Sequence, residues 1–235
     1  MSTDLSKICA DFIRSHVLTQ SGEKLKASHA RELVAAFFGY KSHAALLAEK
    51  DFPLSALSDA DVMVPAVALI ESRRADLEGL PAGVPASGEL AKTIADLLVT
   101  QGHFAGQVWH YSSLEEYVME VLLPAEDELV ADDLSGVMAE TNAYFEHACY
   151  EDAEMLDEPG VVTVTVTGKY EGTPHEDKPF CGDTIDMHVT IELSRIAGRT
   201  GFASPEITAT GSVNDDWVDP ELRFGKGARA VGRST

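Results

Sequence analysis

Hydrophobic positions along the chain fall into two textures, helical in the N-terminal part and alternating towards the C-terminus. Leu5, Ile8, Cys9, Phe12, Ile13 and Val17 recur every three or four residues and make one apolar stripe, which predicts a first helix. Gln20 to Lys26 is polar and holds Gly22, a loop. Ser28 is placed to cap a second helix with Ala30, Leu33, Val34, Phe37 and Phe38 inward, and Gly39 to stop it. Ser42 is placed to cap a third, through Ala44, Leu46 and Leu47. Pro65 suits the first turn of a fourth helix, where its missing N–H is not needed. Residues 79–88 then carry three glycines and two prolines, which predicts a linker and the best domain boundary.

Beyond that boundary, Leu90, Ile94, Leu97 and Leu98 mark a helix that opens at Ser87 or Gly88 and ends at Gly102. Phe104 to Tyr111 suggests a short strand. Ser113-Leu-Glu-Glu116 is a capping-box pattern that starts another helix, closed by Pro124. A further helix with a charged outer face is expected near 132–146. The period then changes. Val162, Val164 and Val166 alternate with threonines, and Ile185, Met187, Val189, Ile191 and Leu193 alternate with Asp186, His188, Thr190 and Glu192. Ile207, Ala209 and Val213 suggest a third strand. One apolar and one polar face is the signature of an antiparallel sheet with one side on a core. The expected fold is therefore α+β. A helical module at 1–78 leads through the linker to an α+β domain at 89–221, helices on a three- or four-stranded antiparallel sheet. Residues 222–235 read as a flexible basic tail.

Charge changes this picture most. The net charge is −21, and residues 125–160 hold 12 acidic side chains and no basic one. Leu129, Val130, Leu134, Val137, Met138, Tyr144 and Phe145 in the same stretch make it too apolar for a disordered acidic tail. Such a chain is repelled by nucleic acid and by anionic membranes. There is no apolar run near the ~20 residues a bilayer requires. Asp4, Lys7, Asp11 and Arg14 interrupt the N-terminal apolar positions, so Met1 to Gln20 does not read as a signal peptide. The three cysteines, Cys9, Cys149 and Cys181, are odd in number and far apart, which fits reduced thiols in a cytoplasmic setting.

The stretch from Lys24 to Ala48 resembles a small helical module of bacterial glyoxalase-related proteins. The resemblance rests on Ser28-His29, Leu33-Val34, and Gly39-Tyr40-Lys41 before Ala44 to Leu47, and covers about a tenth of the chain. It implies a bacterial or mobile-element origin and carries over no catalytic residue. The paired βαβββ units of the glyoxalase enzymes, with His and Glu metal ligands, cannot be traced in residues 89–221.

Four candidate sites follow from the residues. Glu126, Asp127, Glu128, Asp132, Asp133, Glu140, Glu151, Asp152 and Glu154 are candidate partner-binding carboxylates. Carboxylates spaced along a folded element imitate DNA phosphates and can occupy a partner's basic groove. Asp186, His188 and Glu192 share one face of a strand, with His175, Cys181 and Asp183 upstream, and are the candidate metal ligands. No Cys-x-x-Cys, His-Glu-x-x-His or calcium-loop spacing accompanies them. Ala35, Gly39 and the helix after Ser42 resemble a helix–turn–helix, with Lys24, Lys26, Arg31 and Lys41 near phosphate positions. No nucleophile elbow, phosphate loop or cofactor motif is present. The expectation is a non-enzymatic acidic protein that binds a basic protein partner. A metal-dependent glyoxalase-related lyase or isomerase, and a helix–turn–helix regulator, are the alternatives.

Overall fold

The computed structural model describes residues 4–110, 113–216 and 218. The expected tail at 222–235 lies outside them. The fold is α+β, and its sheet is larger than expected and mixed. Among the described residues, seven strands form it, six in the order β2-β1-β6-β5-β4-β3 and β7 also on β5. The strands are β1 (Val62–Met63), β2 (Gln107–Val108), β3 (Ala143–Asp157), β4 (Val161–Pro174), β5 (Thr184–Ala197), β6 (Gly201–Phe202) and β7 (Glu206–Val213). The β1–β2 pair is parallel, so the sheet is not purely antiparallel.

Two compact units emerge. The first comprises residues up to Leu123, with Ala153–Thr165 and Ile191–Ile207. Its helices are α1 (Leu5–Ser21), α2 (Ala27–Phe37), α3 (His43–Ala48), α4 (Val67–Asp76), α5 (Ser87–Thr100) and α6 (Leu114–Tyr117). The apolar stripe of α1 is buried at Leu5, Cys9, Ile13 and Val17. Asp4 accepts the Lys7 N–H at 3.1 Å to cap it. Gly22, at φ 72°, closes it with its N–H on the Leu18 carbonyl. Ser42 and Ser113 cap α3 and α6 as their positions predict, accepting the N–H of Ala45 and Glu116. One core runs from α1 through α5 and takes in Phe37, Phe38, Ile70, Ile94, Leu98 and Phe104.

Residues 79–88 do not divide the units; they lie within the first. Local chemistry holds them there. The Gly83 N–H donates to Glu23 at 2.7 Å, Arg74 donates to the Pro85 carbonyl, and the Ser87 hydroxyl donates to Glu71. Val84 is buried in the core. Glycine and proline here shape a turn that folds back on α4, so α5 joins the core of α1 and α2.

The second unit comprises Pro124–Asp152, Val166–Thr190 and the chain from Thr208. After the one-turn helix α7 (Leu123–Ala125) it holds α8 (Asp127–Met138) and parts of β3, β4, β5 and β7. The helix expected near 132–146 is instead α8, ending at Met138, followed by strand β3 from Ala143. Residues 143–157 contain no Val, Ile or Thr and many residues that favour helices. Sheet pairing overrides that preference. Gly168 of β4 permits the approach: a Cβ there would sit 2.3 Å from the Cys149 carbonyl oxygen of β3.

Candidate functional site

The acidic carboxylates gather in the second unit. Its described residues carry sixteen Asp and Glu side chains against Lys169 and Lys178. α8 buries Val130 and Leu134, which turns Glu128, Leu129, Asp132 and Asp133 outward. The nine candidate carboxylates then separate by what they touch. Asp127 accepts the Tyr170 hydroxyl at 3.2 Å. Burial first, then the charge of Asp127, push that phenol up to about 12. Asp133 accepts the Ala209 N–H at 2.7 Å and so ties α8 to β7. Glu151 pairs with Lys169 at 3.3 Å and raises the pKa of its ammonium through that hydrogen bond and its charge. These three have partners within the unit. Glu126, Glu128, Asp132 and Glu140 are exposed and make no ion pair among the described residues. Asp152 is exposed on β3, and Glu154, also exposed, belongs to the first unit.

Asp186, His188 and Glu192 do alternate along the outer face of β5. Asp186 accepts from Asn214 Nδ2 at 2.9 Å, while His188 and Glu192 face solvent. Upstream, His175 lies against the Tyr144 ring at 3.9 Å, and the Cys181 sulfur accepts from Asn142 at 3.4 Å. Among the described residues, no group of three or more His, Cys, Asp or Glu is placed to hold a metal ion.

The would-be recognition helix α3 has six residues. It buries Leu46, leaves Leu47 64% exposed, and has the Glu32 carboxylate on its His43 N–H at 3.2 Å. No helix of the described residues is long and apolar enough to cross a membrane.

The first unit also holds a cleft around two arginines of the β5–β6 hairpin. β5 alternates Ile191, Leu193, Arg195 and Ala197 on its buried face, so Arg195 sits where an apolar side chain is expected. It is 8% exposed. Its guanidinium donates to Asp157 and to the carbonyls of Glu158 and Pro159, and it lies 5.9 Å from the Phe202 ring centre. Gly198, at φ 56°, then turns the chain through Arg199 and Thr200 into β6. Three separate segments pin this turn: Gly198 N–H donates to Phe52, Arg199 N–H donates to Phe38, and Val64 N–H donates to the Thr200 carbonyl. Gly39, at φ 85°, makes room for it, since a Cβ there would lie 2.6 Å from Arg199 Cβ.

Arg199 is exposed, its guanidinium 5.4 Å from the Tyr40 ring centre, and makes no ion pair among the described residues. Tyr40 donates to Glu49 at 2.9 Å. Burial and then that carboxylate push the phenol well above its ordinary value. Burial opposes ionisation of Glu49, but hydrogen bonds from Tyr40 and from the N–H groups of Asp51, Phe52 and Lys50 outweigh it and hold the carboxyl below its ordinary value. The cleft beside the hairpin has a volume of about 380 Å³. Val64, Pro65, Val67, Leu69, Val162 and Phe202 are among its apolar lining. Period-2 extension of the β5 pattern past Leu193 is the signal that marks Arg195. Nothing local marks the rest of the cleft, whose lining comes from five separated stretches of chain.

No protein-family model, curated protein or solved structure matches this chain.

Proposed function

We propose that this is a non-enzymatic binding protein whose second unit engages a protein partner of basic surface. The observation that carries this is the set of exposed carboxylates with no internal cation: Glu126, Glu128, Asp132 and Glu140 on and beside α8. Glu128 and Asp132 stand at i and i+4, where like charges cost a few tenths of a kcal/mol in an isolated helix, roughly 0.2–0.5. Neither receives an offsetting cation among the described residues, and a basic partner would supply one. Leu129, 39% exposed, sits beside Asp132 at i+3 and gives the face a small apolar contact. A partner that normally holds phosphates in its groove has the matching charge. Binding of this kind is fast to form and strongly screened by salt.

Affinity capture of the full chain from bacterial lysate tests it. Retention of a basic protein is expected at about 50 mM salt, with loss at about 0.5 M as the Debye length shortens. The variant Glu126→Lys, Glu128→Lys, Asp132→Lys, Glu140→Lys is expected to lose that protein, while Glu176→Lys, Asp177→Lys retains it. Capture that survives both the charge reversal and high salt would end the proposal.

A further inference from the structure

We propose that the cleft beside the β5–β6 hairpin binds a small amphipathic monocarboxylate, its head group on Arg199 and Thr200 and its hydrocarbon body along α4. This site lies wholly in the first unit and stands or falls independently of the acidic face.

The wall is mostly apolar. Val64, Pro65, Ala66, Val67, Ala68 and Leu69 line one side as a continuous apolar stretch leading into α4. Arg195, Arg199 and Thr200 are polar at the hairpin end, where Asp157 accepts from Arg195, and Ser113 and Glu115 are the polar residues elsewhere in the lining. A volume of about 380 Å³ falls within the range of small-molecule sites, which are mostly apolar with a few placed polar groups.

Two buried polar atoms at that end lack partners. Arg195 Nε and Thr200 Oγ1 make no hydrogen bond among the described residues, although Arg195 is 8% exposed and Thr200 2%. Buried polar atoms are nearly always satisfied in native proteins, so two orphans on residues that line one cleft point to an oxygen-bearing ligand close to them. Charge selects its sign. The other guanidinium nitrogens of Arg195 are committed to Asp157, Glu158 and Pro159, whereas the Arg199 guanidinium lies over Tyr40 and makes no ion pair among the described residues. Arg199 is therefore the cation available to an incoming anion, and its planar fork matches a carboxylate. Asp157 and Glu115 on the same cleft disfavour a dianion, which argues for a carboxylate over a phosphate monoester. The apolar wall rejects a bare small anion because it offers nothing to replace water around it.

Octanoate titration of the full chain, followed by calorimetry and by thermal melting, tests this. Saturable binding and a raised Tm are expected with octanoate. Acetate, the head without the body, and 1-octanol, the body without the charge, are each expected to bind at least tenfold more weakly. Arg199→Gln removes an exposed cation without disturbing the core and should weaken octanoate at least tenfold. Ala68→Phe, on the exposed side of α4, should block the body and abolish binding while leaving the melting temperature of the free protein within a few degrees of wild type. No saturable octanoate binding up to about 10 mM, equal binding of 1-octanol, equal binding of acetate, or an unchanged affinity in Arg199→Gln would each overturn the proposal.

Discussion

Gly39 shows how much a single residue can carry. Its φ of 85° lies in the left-handed region, and its missing Cβ lets Arg199 pass. Gly22 has a similar φ of 72° but open space around it. The two therefore separate backbone strain from steric exclusion. Gly22→Ala should cost about 1 kcal/mol and Gly39→Ala about 3 kcal/mol or more, read from denaturant midpoints. Equal losses would show that Arg199 yields easily. The cysteines make a second residue-scale test. Cys149 is exposed and should react at once with a thiol-exchange reagent, whereas Cys9 is fully buried and should react only on unfolding. Burial is the main reason the Cys9 thiol is pushed up from 9.0 to about 12. A pKa raised on folding stabilises the protein fully below the unfolded value and loses that contribution as pH climbs through the folded one. Stability should thus fall between about pH 9 and 12, and fall less in Cys9→Ala, as followed by urea midpoints across that range.

Elements differ in how plainly they announce themselves. The stripes of α1 and α5 and the alternation of β4 and β5 are visible because their buried faces are mostly apolar. β3 is hidden because it lies at the end of the sheet order and buries little: its side chains are intermediate or exposed throughout. Without a buried face there is no period to detect, and local composition then favours a helix. Acidic side chains on a terminal strand also discourage pairing with another chain, a common protection of sheet edges. The cleft escapes detection for a different reason, since contact between distant segments leaves no pattern in any one of them. Helix contacts are testable at this scale. Glu32 of α2 accepts from Arg73 of α4 at 2.6 Å and from the His43 N–H that begins α3. Both side chains are about a quarter exposed, so solvent screening trims the pair. Glu32→Ala should still cost about 1–2 kcal/mol, because it orphans two donors at once. A double-mutant cycle with Arg73→Ala should show a coupling of roughly 0.5–1 kcal/mol.

Across the whole molecule, charge and connectivity are distributed unevenly. The described part of the second unit carries the larger share of the net negative charge, while the first unit holds both arginines of the cleft. Charge reversal on α8 should therefore leave octanoate affinity unchanged, and Arg199→Gln should leave capture of a basic protein unchanged. Either cross-effect would mean that the two surfaces are coupled.

The pinned turn at residues 198–200 also bears on the order of events during synthesis. It bonds to Phe38, Phe52 and Val64, and β6 pairs with β1 across well over a hundred residues of intervening chain. Contacts of such sequence separation make folding slow. The ribosome releases α1 to α5 long before the hairpin that completes their surroundings has been made. Until then the carbonyls of Phe38 and Phe52 and the N–H of Val64 lack their final partners, and the nearby apolar side chains lack their cover. The nascent N-terminal half is consequently the form most exposed to aggregation and to chaperones. A chain stopped after Leu123 should express largely insoluble, even though helices α1 to α6 are all present.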